Sequence, residues 1–299
     1  MNHISRVLVT IVIPTYNRGH LIDRTIKSVL NQTYTNFELL IVDDASQDNT
    51  SEVVSSYKDE RIRYIRLENN SKGTKPRNIG IKQSKGKFIA LLDSDDEWVP
   101  NKLESQLSFI DQYKEESFLC FTDVIFKRNE VEKFSMNNPI KDSEDIMDYI
   151  LLGGNCVQTS TYMFPSELGK RVLFGLNIKK HQDWDFCLRL QQQGAKFISL
   201  SEPLSIYNVD ERGDRIANNS KYKLSLEWLN KVSDQLSEQS YYAFLANYVS
   251  SALIINHKRR KALYYYLKAF QKDSISLIVL IKGLIKCVIP LNLFRKRFR

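Results

Sequence analysis

The segment Asp93-Ser94-Asp95-Asp96 places three carboxylates within four positions, directly after the strand-like run 87–92. Carboxylate oxygens are hard donors. They suit magnesium or manganese, which keep several waters and bridge one or two carboxylates to the phosphates of a substrate. Asp93 and Asp95 are two residues apart, and a tight bend at Ser94 would turn both towards one point. An isolated Asp-x-Asp triplet is common, and its competing reading is a solvated turn. Two further polar clusters, Thr15-Tyr16-Asn17 and Asp43-Asp44, also follow apolar runs. The chemistry therefore depends on whether the chain brings these clusters together.

The elements around them predict that it does. Residues 7–13 form a β-branched run suited to a strand buried on both faces, with Pro14 at its end. Asn17 or Gly19 opens a helix whose apolar positions Leu21, Ile22, Ile26, Val29 and Leu30 share one face. A second strand, 37–42, stops at Asp43-Asp44, and Ser46 or Asp48 caps the helix that follows. Residues 61–67 read as a third strand, Pro76 suits the first turn of the next helix, and 87–92 is a fourth strand. This βαβαβαβ order predicts an α/β fold with a largely parallel sheet and helices on both faces. Ligands bind such sheets outside the carboxyl ends of the strands, so the three clusters should converge on one edge. Residues 129–145 read as loop-rich, a helix through Leu188 and Leu190 ends at Gly194, and 197–200 is a late strand. The polar stretch 211–220, which includes Gly213, marks a boundary. Beyond it Leu224, Trp228 and Leu229, then Phe244 to Leu253, then Leu263, Tyr266, Leu267 and Phe270 show helical spacing. The expected division is a sheet domain over 1–215 and an α-helical region over 216–299.

Composition bounds the function. The 299 residues carry 43 Lys and Arg against 35 Asp and Glu, a net charge of +8. The excess is concentrated at the end, where Lys272, Lys282, Lys286, Arg295, Lys296, Arg297 and Arg299 face only Asp273. Concentration at one end favours a membrane surface over nucleic acid. Cys120, Cys156, Cys187 and Cys287 are widely spaced, which suggests neither a zinc site nor a disulfide framework, and fits a reducing compartment. Residues 1–8 contain no long apolar run, so no secretory leader is expected, and no apolar stretch is long enough to span a bilayer.

Four motifs in order, Val-Ile-Pro-Thr-Tyr-Asn-Arg (12–18), Val-Asp-Asp-Ala-Ser (42–46), Lys-Pro-Arg-Asn-Ile-Gly (75–80) and Leu-Leu-Asp-Ser-Asp-Asp (91–96), resemble the family 2 glycosyltransferases over roughly residues 7–210. The resemblance implies a GT-A fold, Rossmann-like with a mostly parallel sheet flanked by helices, here followed by a C-terminal helical appendage. It also implies a nucleotide-diphosphate sugar donor, a divalent Mg or Mn ion and inversion at the anomeric carbon. By the same resemblance Pro14, Thr15 and the Tyr16 ring hold the base, Asp44 with Asp43 meets the uracil edge or ribose, and Arg77 reaches the base or diphosphate. Asp93, with Ser94 beside it, meets ribose or metal, and Asp95 is the principal metal ligand. The competing readings are helix capping for Asp43 and Asp44 and a surface ion pair for Arg77.

Inversion needs a base opposite the leaving group. The run His181-Gln182-Asp183-Trp184-Asp185-Phe186-Cys187-Leu188-Arg189 resembles the family's Glu-Asp-x-Asp-x-x-x-Arg region, which assigns the catalytic base to Asp183. Gln182 stands where the family usually has Glu. A second rank of candidates comprises Trp184, as a shelter for sugar or a core anchor; Asp185, as a helix cap; His181, as an extra ligand or a structural residue; and Asp96, Arg212 and Arg215. The processive Gln-x-x-Arg-Trp motif is absent, so transfer of a single hexosyl or N-acetylhexosaminyl unit is expected.

The apolar run 275–289, interrupted by Lys282 and Lys286 and followed by Pro290 and the basic cluster 295–299, reads as an amphipathic helix for an anionic membrane interface. Its competing reading is a helix docked on its own domain or on another subunit of a homo-oligomer. The expected setting is the cytoplasmic face of a bacterial cell membrane, with a glycan or lipid-linked acceptor. The rival classes are weaker. A sugar-nucleotidyltransferase would carry a glycine-rich loop where Pro14-Thr15-Tyr16-Asn17 stands, and neither G-x-G-x-x-G nor G-x-x-x-x-G-K-[ST] occurs. A non-catalytic nucleotide-sugar-binding or scaffolding relative is favoured only by Gln182.

Overall fold

A computed structural model of the chain describes residues 7–209 and 222–289. Arg212, Arg215, the boundary stretch 211–220 and the basic cluster 295–299 lie outside the described residues. In chain order the elements are β1 (Val9–Thr15), α1 (Ile22–Leu30), β2 (Phe37–Asp43), α2 (Thr50–Ser56), β3 (Ile62–Arg66), α3 (Lys75–Gln83), β4 (Phe88–Leu91), β5 (Glu97–Trp98), α4 (Lys102–Ile110), β6 (Phe118–Arg128) and β7 (Val131–Ser135). There follow α5 (Ile146–Leu151), β8 (Met163–Pro165), α6 (Ser166–Val172), α7 (Gln182–Gln192), β9 (Lys196–Asn208), α8 (Tyr222–Val232), α9 (Glu238–Phe244), α10 (Ser250–Ile255), α11 (Arg259–Gln271) and α12 (Leu277–Val288).

The described strands form one sheet in the order β3-β2-β1-β4-β8-β6-β9-β5, with β7 paired to β6. Strands β3, β2, β1 and β4 pair in parallel. Strand β8 is antiparallel to both β4 and β6, so β6 and its parallel partner β9 again run with β1. Only β8, β5 and β7 run against that direction. The mostly parallel sheet is as expected. Two details differ. Strand β1 continues through Pro14 to Thr15, because its ladder with β4 already ends at Val12–Leu91 and the missing Pro N–H forfeits no bond there. Residues 129–145, read as loop, contain β7, whose residues are almost all exposed and so carry no core periodicity.

The chain divides into two compact units. One comprises Met1–Ser143, Asn155–Ile178 and Gln182–Glu211; the other Glu144–Gly154, Lys179–His181 and Arg212–Arg299. A single boundary at 215 thus misses two earlier excursions of the chain into the helical unit. In the sheet unit Val9, Ile11 and Ile13 of β1 are fully buried in one cluster with Ile22, Ile26 and Val29 of α1 and Leu103, Leu107 and Ile110 of α4. Burying each such side chain stabilises the fold by about 1.5–3 kcal/mol. On the opposite face α3 lies so close to β1 that a Cβ on Gly80 would stand 2.3 Å from Val12 Cγ1, which explains the glycine of the third motif.

The helical unit is held by a different mixture. Asp145 caps α5 by accepting from the Met147 and Asp148 amides, and the Ser237 and Ser240 hydroxyls donate to the Asp148 carboxylate at 2.5 and 2.6 Å. Between α9 and α10, Leu245–Val249 is a π-helical turn. On α11 the buried row is Ala262, Tyr266 and Ala269, whereas Leu263, Leu267 and Phe270 are exposed. Of the large residues that mark the helix in sequence, Tyr266 lies on its packed face while Leu263, Leu267 and Phe270 do not. Small residues let α12 approach, with Gly283 set against the Tyr266 ring.

Candidate active site

The parallel registers Thr15–Asp43 and Val12–Leu91 bring the ends of β1, β2 and β4 to one edge of the sheet, as the strand order predicts. After β1 the chain turns through Asn17, at φ 50°, whose amide donates to Ser46 Oγ at 2.8 Å and whose side-chain carbonyl accepts from the Gln47 amide. Tyr16 is left 41% exposed beside this turn, available to a flat ligand. Thr15 Oγ1 is buried with no protein partner.

Asp43 and Asp44 differ. Asp43 is fully buried; one carboxylate oxygen accepts from the Ser46 amide and hydroxyl at 2.9 and 2.5 Å, and the other accepts from the Tyr64 hydroxyl. Asp43 braces the turn with bonds made inside the protein, which is the structural alternative to the donor-binding role expected of it. Asp44 accepts from the amides of Ser71 and Lys72 at 2.8 and 3.2 Å, holding the loop before α3, and a carboxylate with two acceptor bonds retains capacity for more.

After β4 the Asp96 amide donates to the Asp93 carbonyl at 3.0 Å, closing the bend expected at Ser94. The bend is fixed from outside. Thr25 Oγ1 donates to the carbonyls of Ser94 and Asp96, Arg24 donates to the Asp95 carbonyl at 2.7 Å, and Asn208 Nδ2 donates to that same carbonyl at 3.0 Å. Asp96 points inward: Ser160 Oγ and Gln158 Nε2 each donate to its Oδ2 at 2.7 Å, while its Oδ1 is buried without a protein partner. Burial, then the Asp95 and Asp93 charges, push its carboxyl well above the usual range. Asp96 is thus an internal brace. Asp93 and Asp95 remain partly exposed on the bend.

Arg77 links this bend to α7. Its Nη2 lies 2.6 Å from Asp93 Oδ1, its Nη1 donates to Gln182 Oε1 at 3.3 Å, and the guanidinium carbon sits 4.8 Å from the centre of the Phe174 ring. The arginine is 8% exposed and its Nε has no protein partner, so its ion pair is a buried one and not a surface one. One residue beyond Gln182, the Asp183 carboxylate accepts the Trp184 amide at 3.0 Å. Burial pushes the Asp183 carboxyl up to about 6; the Asp93 charge adds to the rise and Arg77 opposes it. A carboxyl poised there is a competent proton acceptor near neutral pH. Trp184 is half-buried, and Asp185 lies inside the first turn of α7, buried near Gly175, and not at its N-cap.

His181 belongs to the helical unit. Its Nε2 is 3.0 Å from Ser225 Oγ, the Trp228 and Phe244 rings are each 5.1 Å away, and burial pushes its pKa down to about 3. Packed this way it is a core histidine, the structural one of its two sequence readings.

Ser160 is the residue that sequence reasoning missed. From a short 3-10 turn its hydroxyl donates to Asp96 and accepts the Asp93 amide at 3.0 Å, and its carbonyl accepts from Trp98 Nε1 and Ser205 Oγ. Gln158 and Asp123 were also missed. Asp123 sits at an irregularity of the β6–β9 ladder, 1% exposed, with Oδ1 accepting the Asn137 amide and Oδ2 unpartnered. Ser160 and Gln158 lie in a polar stretch and Asp123 in the apolar strand β6, and their partners are seen only in space.

Among the described residues no group of three or more His, Cys, Asp or Glu side chains could hold a metal unaided. The donor set does fit a hard cation shared with a diphosphate, since Asp93 and Asp95 offer two carboxylates on a braced bend.

The model of glycosyl transferase family 2 matches residues 10–167. The amylovoran biosynthesis glycosyltransferase AmsB of Erwinia amylovora is 31% identical over 245 residues, 79% of this chain and 81% of that protein. The UDP-Glc:alpha-D-GlcNAc-diphosphoundecaprenol beta-1,3-glucosyltransferase WfgD of Escherichia coli is 48% identical over 103 residues, 34% of this chain and 41% of that protein. Among solved structures, S. aureus TarS 1–349 in complex with UDP-GlcNAc aligns with a TM-score of 0.67 at 19% identity, covering 93% of this chain and 88% of that one, which shows the GT-A fold. The strand-end site, the matched motifs and the shared architecture agree: the chain belongs to glycosyl transferase family 2.

Proposed function

We propose that the protein transfers one hexosyl or N-acetylhexosaminyl unit from a UDP-sugar to a hydroxyl of a glycan or lipid-linked acceptor, with inversion, in the synthesis of a bacterial surface polysaccharide. The observation that carries this reading is Asp183, whose carboxyl is raised to about 6 in the neighbourhood of the Arg77–Asp93 pair. The relatives support the substrates: TarS is seen with UDP-GlcNAc, and WfgD is named for UDP-Glc and a diphosphoundecaprenol acceptor.

In this mechanism Tyr16 stacks on the uracil and Asp44 accepts from its edge or from the ribose. Arg77 offers its guanidinium to the diphosphate. Asp183 takes the proton of the acceptor hydroxyl as that oxygen bonds to the anomeric carbon. The bond from that carbon to the diphosphate oxygen breaks on the opposite side, and UDP leaves with the electron pair. Asp95, with Asp93, would hold a divalent cation, which when bound neutralises charge on the diphosphate. Membrane contact through the C-terminal region would bring the enzyme to a lipid-linked acceptor.

Asp183→Asn tests the reading. Transfer should fall by about 10²–10⁴-fold while calorimetric UDP affinity stays within error. Unchanged transfer removes Asp183 from the base role. Loss of UDP binding together with transfer would make it a binding residue instead.

A further inference from the structure

Helix α12 has three distinct faces. At about 100° per residue, Leu280 and Gly283 are buried on one side. Leu277, Ile278, Ile281, Ile285 and Val288 occupy a second arc, each between 46% and 78% exposed. Val279, Lys282 and Lys286 form a third arc beside it, and together with Ala246, Asn247 and Tyr266 they line a cavity of about 190 Å³. One wall of that cavity comes from the π-helical turn Leu245–Val249, an irregularity that widens a helix and is frequent at functional sites. The cavity therefore carries two lysines, an amide and a tyrosine ring, and it opens next to a bare apolar face.

We infer that this part of the helical unit is an anionic-lipid binding surface, in which Lys282 and Lys286 take a phospholipid phosphate while the Leu277–Val288 face of α12 sinks into the acyl boundary. Charge and geometry select this occupant. An exposed row of isoleucines flanked by lysines on one edge is the arrangement of an interfacial helix, and Asp273 is the sole acid from residue 272 to the end of the sequence against seven basic residues. At 12 residues α12 is about 18 Å long, too short to cross a hydrocarbon core of about 30 Å, and no described helix is long and apolar enough to do so. Helix α11 adds Leu263, Leu267 and Phe270 as a second exposed apolar row. The inference deepens the proposed function by saying how a lipid-linked acceptor is met, and it stands apart from the transfer chemistry.

The experiment is sedimentation of the full chain with vesicles of phosphatidylcholine alone or with added phosphatidylglycerol, with UDP affinity measured on the same samples. The protein should sediment with the acidic vesicles only. Lys282→Gln with Lys286→Gln should weaken that binding roughly thirty-fold, and Lys282→Gln alone, at an exposed position, roughly five-fold, on the scale of one basic residue near an acidic surface. Ile281→Asp with Ile285→Asp should abolish it. Full-strength binding by all these variants would overturn the inference, leaving the basic end of the chain to act alone. So would failure of the full chain to bind, or self-association that the Ile281→Asp, Ile285→Asp variant abolishes, which would assign the face to a second copy. UDP affinity retained in the variants separates failure of this surface from failure of the transfer reading.

Discussion

In β1, Val9, Ile11 and Ile13 are fully buried, and their β-branched run is the pattern that predicts a buried strand. In α11, Leu263, Leu267 and Phe270 show equally regular helical spacing, yet they are 36%, 48% and 40% exposed while Ala262 and Ala269 are fully buried. The two units thus put large apolar residues to different uses. In the sheet they are the core, and periodicity reports packing within the chain. In α11 and α12 Ala262, Ala269 and Gly283 pack inward beside Tyr266 and Leu280, while most of the large apolar residues stay exposed. Regular apolar spacing says that a face is apolar; it does not say what covers that face.

The largest effect that tests this contrast is a truncation in the sheet. Ile11→Ala should cost about 2–5 kcal/mol in urea unfolding, the range for a large-to-small change in a packed core. Next is the brace behind the bend. Ser160→Ala removes a donor to the buried Asp96 carboxylate and should cost about 1–3 kcal/mol, with weaker UDP binding because the Asp93 amide also loses its acceptor.

The titrations separate the units by sign. Asp183 has its folded-state pKa raised to about 6 from 3.8, so its burial favours the fold at low pH and opposes it as pH rises through 6. Asp183→Asn should therefore stabilise the protein at pH 7, by less than about 3 kcal/mol, while transfer is lost. In the wild type, the rate should fall about tenfold per pH unit below 6, where the base is protonated. His181 runs the other way. Its folded pKa of about 3 lies below the usual 6.5, so its contribution is complete above pH 6.5 and declines as pH falls towards 3. The slope should not exceed about 1.4 kcal/mol per pH unit, and His181→Gln should flatten it in pH-resolved unfolding. Smallest is Leu267→Ala, which should shift stability by no more than about 0.5 kcal/mol. A loss near that of Ile11→Ala would show that α11 is packed like the sheet and would end the comparison.

What could be read beforehand follows the same division. Strand ends carrying Tyr16, Asp44, Asp93 and Asp95 were legible because parallel strands joined by helices have one carboxyl edge. Asp96 was not assigned, because its inward direction depends on Ser160 and Gln158, which are more than sixty positions away. Asp43 differs from Asp44 only through the hydroxyls of Ser46 and Tyr64. His181 could be read from sequence as an extra ligand or as a structural residue, and the rings of Trp228 and Phe244 show it packed as core. Local pattern located the shared strand edge, while long-range partners decided which carboxylates turn inward from it.

Gln182 has a further consequence through its bond to Arg77. A carboxylate at that position, as in the related motif, would place a second negative charge beside the guanidinium already paired with Asp93. The amide leaves the arginine's positive potential less compensated at the place proposed for the diphosphate. On the proposed function, such a site would ease departure of the leaving group but hold the free nucleotide longer, and would move the step that paces each turnover from bond exchange towards the exit of UDP.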